Sequence, residues 1–325
     1  MATAHLLDEL STRERVLLCG PSKPDGDSLG ACLALQVLLE RRGVRCSVAG
    51  HASYRYQWMP NIDRLIPDPE LSGHWPAVVV LDGDRHRLSP NTTAAFDRAE
   101  YKCIIDHHQS TTNDGYDFYW VDPEAGSACE MIYSMLPTWR APLDRPLSEL
   151  LYTGLIFDTG AFRYSNTSPH SFRMAADLLE HGAQPNQIAL AVLMDRTLSG
   201  LRIAGTIYEH ASIQLDGKLC SAIASTQLQQ SLHTVDGDLE GVVEDLLHVH
   251  GVEVSILAIQ LNSTTVKLSL RSRGLIDVAA VANRLSPAGG GHFKAAGVHL
   301  EATPEEAIEA AAAEVLRALR QSSIR

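Results

Sequence analysis

The sequence predicts an α/β protein in which a mainly parallel sheet flanked by helices is followed by a smaller α+β domain. Its 325 residues are enough for two domains at about 150 residues each. In the first half, short runs rich in Val and Ile alternate with amphipathic stretches, which is typical of parallel βαβ units. From about residue 211 the pattern changes to closely spaced strand pairs. We therefore assign residues 1–190 to the first domain, 191–210 to a helical connector and 211–325 to the second domain.

The first domain is predicted from its apolar runs. Strands are expected at Val16–Cys19, Val44–Ala49, Val78–Leu81 and Cys103–Ile105. A helix is expected from about Ser28 to Leu39. Residues Leu147–Met194 show helical periods and no strand run. Ser168 before Pro169 indicates a helix N-cap and Gly182 a helix C-cap, so we expect helices to close this domain.

The second domain is predicted from paired β runs and a final helix. Strands are expected at Ile213–Leu215, Leu219–Ala224, Val252–Leu261 and Val266–Leu270. Asp216-Gly217 supplies the turn of the first pair. Thr303 and Glu306 form a capping box with Pro304 at the first helical position. A helix through about Leu319 should follow.

Composition excludes several classes of protein. The longest strongly apolar stretch, Leu29–Leu39, is too short to cross a bilayer, and Met1–Arg15 lacks the pattern of a secretory signal, so we expect a cytoplasmic protein without a membrane partner. Six cysteines without a Cys-x-x-Cys pair suggest neither disulfides nor a thiolate zinc site. The net charge of −12 argues against binding to long nucleic acids. Asn262–Leu300 forms a small basic patch with five Lys and Arg residues and one acid, so the rest of the chain has a net charge of −16.

Acidic and histidine side chains follow several of the predicted strands or end a helix. They are Asp25, Asp27, Asp82, Asp106, His107, His108 and Asp158. Ligands of parallel sheets bind outside the carboxyl ends of the strands, so these residues can converge on one crevice. Clustered carboxylates repel one another unless cations lie between them. Oxygen donors with imidazoles and no thiolate favour Mn²⁺, with Mg²⁺ as the alternative, and two such ions would suit phosphoryl transfer.

These residues resemble the DHH phosphoesterase superfamily, whose name comes from the motif found here as Asp106-His107-His108. Within it the sequence is most similar to the NrnA-type group of oligoribonucleases and pAp phosphatases. The resemblance extends over most of the chain, in the family's order. It rests on the segments Pro24–Ala31, Val79–Asp84, Ile104–His108, Trp120–Glu130, Leu151–Pro169 and Gly289–Gly297.

The resemblance implies a centre of two Mn²⁺ ions. Asp25 would hold the first ion, and Asp82 would bridge both ions. The second ion would be held by Asp27, His107 and Asp158. His108 would face the substrate phosphate and donate a proton to the leaving oxygen, while Asp106 would orient the two histidines.

One position departs from the family pattern. The family has a histidine ligand four residues before the first Asp of the PDGD motif, and this chain has Pro21 there. Proline has no side-chain donor, so the first metal site loses an imidazole. Water, substrate or a neighbour such as Cys19 or His86 would fill the gap, or the site would bind metal weakly.

The basic stretch of the second domain is the expected phosphate-binding region. Bare glycine backbone lets N–H groups approach an anion, and the resemblance gives this region the substrate's terminal phosphate or nucleotide. The residues are Arg271, Arg273, Gly289, Gly290, Gly291, His292 and Lys294. The family's fourth glycine is Ala288 here. The alternative for the two arginines is a solvated strand edge.

The resulting expectation is a metal-dependent phosphoesterase acting in the cleft between the domains. Its substrates would be short oligoribonucleotides (nanoRNA), 3′,5′-bisphosphorylated adenosine (pAp), or both. Two alternatives remain open at this point. One is cleavage of a linear or cyclic dinucleotide, and the other, suggested by Pro21, is a nucleotide-binding protein with an impaired metal centre. A homodimer is possible.

Overall fold

The computed structural model describes residues 2–322, which fall into two compact units divided between Asp195 and Arg196. The sheet of the first unit is parallel and that of the second is mixed, which confirms the predicted α/β class with an α+β second domain. The helix Leu198–Glu209 lies within the predicted connector 191–210. It places Ile203 and Ile207 in a core cluster of the second unit.

The first unit is built on a parallel sheet. Its strands are β1 (Val16–Cys19), β2 (Cys46–Ala49), β3 (Ala77–Leu81), β4 (Tyr101–Asp106) and β5 (Phe118–Val121), in the order β2-β1-β3-β4-β5. The first four match the predicted runs, and β5 was not predicted. Its sequence, Phe-Tyr-Trp-Val, is rich in strand-forming residues, so the signal was present and the sequence reasoning passed over it. Since all pairings are parallel, the carboxyl ends of the strands share one edge.

Helices cover both faces of this sheet. They are α1 (Ala2–Ser11), α2 (Gly26–Glu40), α3 (Pro90–Arg98), α4 (Ala128–Trp139), α5 (Arg145–Asp158), α6 (Pro169–Glu180) and α7 (Pro185–Ala189), the last continuing as a π-helical turn over Leu190–Met194. Ser168 caps α6, and Gly182 follows its end at φ 99°, as predicted. Helices α2, α4 and α5 pack together on one face in the main core, and Phe96 of α3 packs on the other.

The second unit has a mixed sheet with helices on both faces. Its strands are β6 (Ser212–Gln214), β7 (Leu219–Ala224), β8 (Val254–Gln260), β9 (Thr265–Ser272), β10 (Gly290–His292) and β11 (Ala295–Glu301), in the order β10-β11-β9-β8-β7-β6. Its helices are α8 (Leu198–Glu209), α9 (Thr226–Ser231), α10 (Val242–Leu247), α11 (Val278–Leu285) and α12 (Pro304–Ser322). The predicted capping box is present, because Thr303 and Glu306 each accept the other's backbone N–H at the start of α12.

Two expectations from composition can be compared with the structure. The six cysteines are free thiols, as expected from their spacing. Across residues 2–322, no helix is both long and apolar enough to span a bilayer.

Candidate metal centre

The loop between β1 and α2 places the first carboxylate at the edge of the parallel sheet. Asp25 is the N-cap of α2, and its Oδ1 accepts the N–H groups of Asp27 and Ser28, each at 3.1 Å. The Ser28 Oγ accepts the Asp25 N–H at 2.8 Å, which completes a capping box. This local pattern fixes where α2 begins and keeps the Asp25 side chain at the helix N-terminus.

Asp27 lies in the first turn of α2 and is fully buried. Its two oxygens accept the N–H groups of Ala128 at 2.6 Å and Cys129 at 3.0 Å, at the start of α4. Helix α5 approaches closely at this point, because a Cβ at Gly154 would lie 2.3 Å from Asp27 Oδ1. Sequence reasoning missed the contribution of α4. Ser127 could have indicated from sequence that a helix begins here, because it caps α4 by accepting the Glu130 N–H at 3.0 Å.

His107 joins the acids from different parts of the chain. Its Nε2 lies 3.0 Å from Asp158 Oδ2, 3.4 Å from Asp82 Oδ1 and 3.8 Å from Asp27 Oδ2. The other ring nitrogen, Nδ1, lies 3.2 Å from the carbonyl oxygen of Ala125, and this contact fixes the ring orientation. Thus four of the predicted metal ligands meet at the end of β3, the end of β4, the start of α2 and the end of α5.

The electrostatics of this cluster reflect crowded negative charge. Burial raises the pKa of Asp27 well above its usual range, and the neighbouring carboxylates of Asp82 and Asp158 raise it further. The pKa of Asp25 is raised by the same causes. Burial alone would lower the pKa of His107, but the acids around its Nε2 raise it well above its usual value. Each shift reflects the cost of placing several carboxylates together in a buried position.

This donor set fits a divalent cation. Ligand atoms of Asp27, His107 and Asp158 lie within 4.8 Å of one another, so a single ion could contact all three. Hard carboxylate oxygens with one imidazole suit Mn²⁺, and Mg²⁺ would accept the same oxygens. A cation would also neutralise the repulsion that raises the carboxylate pKa values.

Asp106 and His108 form a second pair beside the cluster. Asp106 Oδ1 accepts the His107 N–H at 2.8 Å and lies 2.7 Å from His108 Nδ1, while Thr111 donates its hydroxyl to Oδ2. Burial alone would raise the pKa of Asp106, but the hydrogen bonds from His108 and Thr111 hold it well below its usual range. On its other side His108 Nε2 accepts from Arg87 Nη1 at 3.3 Å. Sequence reasoning missed both Thr111 and Arg87.

Pro21 lies beside the loop that follows β3. A Cβ at Gly83, next to Asp82, would be 3.1 Å from Pro21 Cγ. The two neighbours considered as substitutes for the missing imidazole have other contacts. The Cys19 thiol donates to the Val79 carbonyl at 3.6 Å, and burial raises its pKa. His86 is exposed, with Nε2 3.3 Å from Asp114.

In the second unit, the predicted phosphate-binding arginines have protein partners. Arg271 Nε donates to Glu244 Oε1 at 2.7 Å. Arg273 donates to the carbonyl oxygens of Val252 at 2.7 Å and Leu247 at 2.9 Å. Both guanidinium groups therefore hold α10 and the loop after it against the sheet.

The predicted glycine run forms β10 and the turn before it. A Cβ at Gly289 or Gly291 would lie 2.3 Å from a backbone oxygen, so both positions require glycine, whereas Gly290 faces open space. His292 pairs with Ala295 in the hairpin between β10 and β11. Lys294 follows in this turn, and its carbonyl accepts the Ser272 N–H at 2.9 Å. The hairpin thus brings the glycine run and Lys294 beside the end of β9, where Arg271 lies.

Comparisons with known proteins agree with this architecture. The family model described as the DHH family, N-terminal domain, matches residues 15–155, and the DHHA1 domain matches residues 222–321. A relative from Thermus thermophilus, named bifunctional oligoribonuclease and PAP phosphatase NrnA, is 27% identical over 308 residues, or 91% of this chain and 88% of that protein.

Solved structures show the same fold. An exopolyphosphatase-related protein from Bacteroides fragilis superimposes with a TM-score of 0.88 at 21% identity, covering 99% of this chain and 98% of that one. RecJ from Thermus thermophilus, solved in complex with Mn²⁺, has a TM-score of 0.58 at 14% identity, covering 98% of this chain and 54% of that one.

Proposed function

We propose that this chain, which contains a DHH domain and a DHHA1 domain, is a metal-dependent phosphoesterase that hydrolyses short oligoribonucleotides, pAp, or both. The observation that carries the proposal is the convergence of Asp27, His107 and Asp158, whose ligand atoms lie within 4.8 Å of one another. The name of the Thermus thermophilus relative, which covers most of both chains, supports this choice of substrates.

The residues of the cluster divide between two divalent ions in this proposal. Asp25 would hold the first ion, Asp82 would contact both, and Asp27, His107 and Asp158 would hold the second. When bound, Mn²⁺ or Mg²⁺ supplies Lewis acidity and positive charge to a phosphoryl group. The RecJ complex with Mn²⁺ supports testing Mn²⁺ before Mg²⁺. Pro21 leaves the first ion with fewer protein ligands, so we expect it to bind more weakly than the second.

His108 and Asp106 act on the leaving group. Hydrolysis forms a bond between the water oxygen and phosphorus, breaks the bond from phosphorus to the nucleoside oxygen, and places a proton on that oxygen. His108 donates this proton from Nε2 in its doubly protonated form, in which Nε2 no longer accepts from Arg87. Asp106, which lies 2.7 Å from Nδ1, holds the ring in the required orientation. Asp106 also binds the His107 backbone, so one carboxylate positions both histidines.

The second unit contributes binding of the terminal phosphate or nucleotide. Gly290 exposes backbone to an approaching anion, and Lys294 supplies a charge in the next turn. Arg271, Arg273 and His292 complete the positive field, with the two arginines anchored by protein contacts. Gly289 and Gly291 allow the hairpin backbone to lie close to the carbonyl oxygens of Ala282 and Ala295.

A substrate panel assayed with Mn²⁺ and with Mg²⁺ tests the proposal. The panel contains an RNA dinucleotide, pAp, a cyclic dinucleotide and pyrophosphate, and metal content is measured on the same preparation. We expect turnover of the RNA dinucleotide or pAp, with metal bound. Preference for the cyclic dinucleotide or pyrophosphate would overturn the substrate assignment. Nucleotide binding without turnover, with one ion or none per chain, would instead identify a binding protein.

A further inference from the structure

Arg87 lies beside the candidate centre, and its position suggests an additional role in substrate binding. It ends the 3₁₀ turn Arg85–Arg87, which follows β3 and Asp82. Its carbonyl accepts the Ser22 N–H at 2.7 Å, and its Nη1 donates to His108 Nε2 at 3.3 Å. We propose that the Arg87 guanidinium binds the phosphate that undergoes hydrolysis, an inference that rests on the proposed function.

The path of the Arg87 side chain depends on a glycine. A Cβ at Gly83 would lie 3.3 Å from Arg87 Cδ and 3.5 Å from its Nη1. Gly83 also has φ 141°, a backbone conformation that other residues rarely adopt. The bare backbone at this position therefore allows the arginine to fold across the end of β3 toward His108.

The neighbouring Arg85 shows what a purely structural arginine does in this turn. Its Nη2 lies 3.0 Å from Asp97 Oδ1, and its guanidinium lies over the Phe96 ring at 5.3 Å. Among residues 2–322, Arg87 makes no comparable ion pair with a carboxylate within 4.0 Å. Its side-chain partner is an imidazole nitrogen, a weaker partner for a cation than an anion would be. Arg87 thus retains its charge for an incoming ligand.

The position of Arg87 indicates which phosphate of the substrate it would bind. A guanidinium can donate two parallel hydrogen bonds to neighbouring oxygens of one phosphate. A group bound next to His108 would be the phosphate whose leaving oxygen receives the His108 proton. Every substrate of the proposed reaction has this phosphate. Loss of Arg87 should therefore lower kcat/KM equally for substrates with and without a terminal phosphate.

The test compares Arg87→Ala, Arg87→Lys and the matched control Arg85→Ala. We expect Arg87→Ala to lower kcat/KM by about 10- to 100-fold on both an RNA dinucleotide without a terminal phosphate and pAp. It should weaken binding of inorganic phosphate to the Mn²⁺-loaded protein by a similar factor. Arg87→Lys should fall between wild type and Arg87→Ala. Arg85→Ala should stay within about twofold of wild type in both assays.

Two results would overturn this role. One is phosphate binding and kcat/KM in Arg87→Ala that match Arg85→Ala. The other is a loss in Arg87→Ala confined to pAp, which would place the contact on a terminal phosphate. Calorimetric phosphate binding separates this question from the proposed function. If wild type hydrolyses nothing on the panel but binds phosphate through Arg87, the anion site stands and the substrate assignment fails.

Discussion

The carboxyl edge of the first sheet and the basic region of the second unit both gather charged side chains, but in the second region the two arginines already have protein partners. At the sheet edge, Asp27, Asp82 and Asp158 surround one imidazole, and Asp27 is completely buried. In the second unit, Arg271 is paired with Glu244, and Arg273 donates to carbonyl oxygens. The first arrangement calls for an added cation, whereas in the second Arg271 has a counter-charge and Arg273 has backbone acceptors.

The two regions therefore carry different kinds of functional information. Buried carboxylates that raise one another's pKa cost stability, which is a mark of sites selected for binding or catalysis. Paired arginines stabilise the structure whether or not they also bind a ligand. The comparison predicts that truncations at the sheet edge change activity with little loss of stability, whereas truncation of Arg271 also lowers stability.

Asp82→Ala should have the largest effect. We expect hydrolysis to fall below detection, because one side chain that serves both ions is lost. The melting temperature of the metal-free variant should equal or exceed that of wild type, since the change relieves carboxylate crowding. The control is Asp63→Ala, which removes an exposed carboxylate outside the cluster and should retain activity. Wild-type turnover by Asp82→Ala would contradict the two-ion proposal.

His108→Ala should lower kcat by roughly 10²- to 10⁴-fold, the range expected for loss of a general acid. Metal content should remain that of wild type, because His107 and not His108 lies within reach of Asp27 and Asp158. Metal analysis and single-substrate kinetics on the same preparation check both statements. Loss of metal in this variant would mean that the roles of the two histidines are reversed.

Sequence reasoning located the edge of the sheet because Asp82 and Asp106 follow apolar strands directly. Their meeting at one edge follows from parallel topology, and that part was predictable. Contacts between distant segments were not predictable. The N–H groups of α4 that hold Asp27, and Arg87 reaching His108, depend on how helices and turns pack. The same limit explains why Arg271 looked available for a ligand, because its partner Glu244 lies 27 positions away.

Arg271→Ala and Lys294→Ala should separate structure from binding in the second unit. Arg271→Ala leaves Glu244 without its ion pair, so we expect a loss of about 1 kcal/mol in unfolding free energy together with a raised KM. Lys294→Ala should raise KM for substrates with a terminal phosphate by about tenfold and leave the melting temperature unchanged. Unchanged kinetics in both variants would assign this region to a solvated surface.

Pro21→His should tighten weak binding at the first metal position. Pro21 lies beside the loop after Asp82, so an imidazole at this position could reach the sheet edge. We expect activity to rise a few-fold at low Mn²⁺ and the gain to vanish near saturation, because mass action then fills a weak site. Full metal occupancy in wild type would show that another ligand already fills the position. Persistently low occupancy in both proteins would show that the loop does not face the ions.

Asp68→Ala should have the smallest effect and no effect on activity. Asp68 is a carboxylate surrounded by donors, with Ser89 Oγ at 2.6 Å and the N–H of Thr92 at 2.9 Å, at the start of α3. Partial burial alone would raise the pKa of Asp68, but these hydrogen bonds hold it below its usual value, the opposite of Asp27.

A carboxylate with a lowered pKa stabilises the folded state above its unfolded pKa of about 4, and this contribution is lost as the pH falls through the folded pKa. At pH 7 we therefore expect Asp68→Ala to lower the unfolding free energy by about 1 kcal/mol, as for a lost helix cap. Below about pH 4 the difference from wild type should shrink. Urea unfolding at several pH values checks this, with the exposed Asp63→Ala as the control. A difference that grew as the pH fell would mean that Asp68 is held like the crowded carboxylates of the sheet edge and not by its donors.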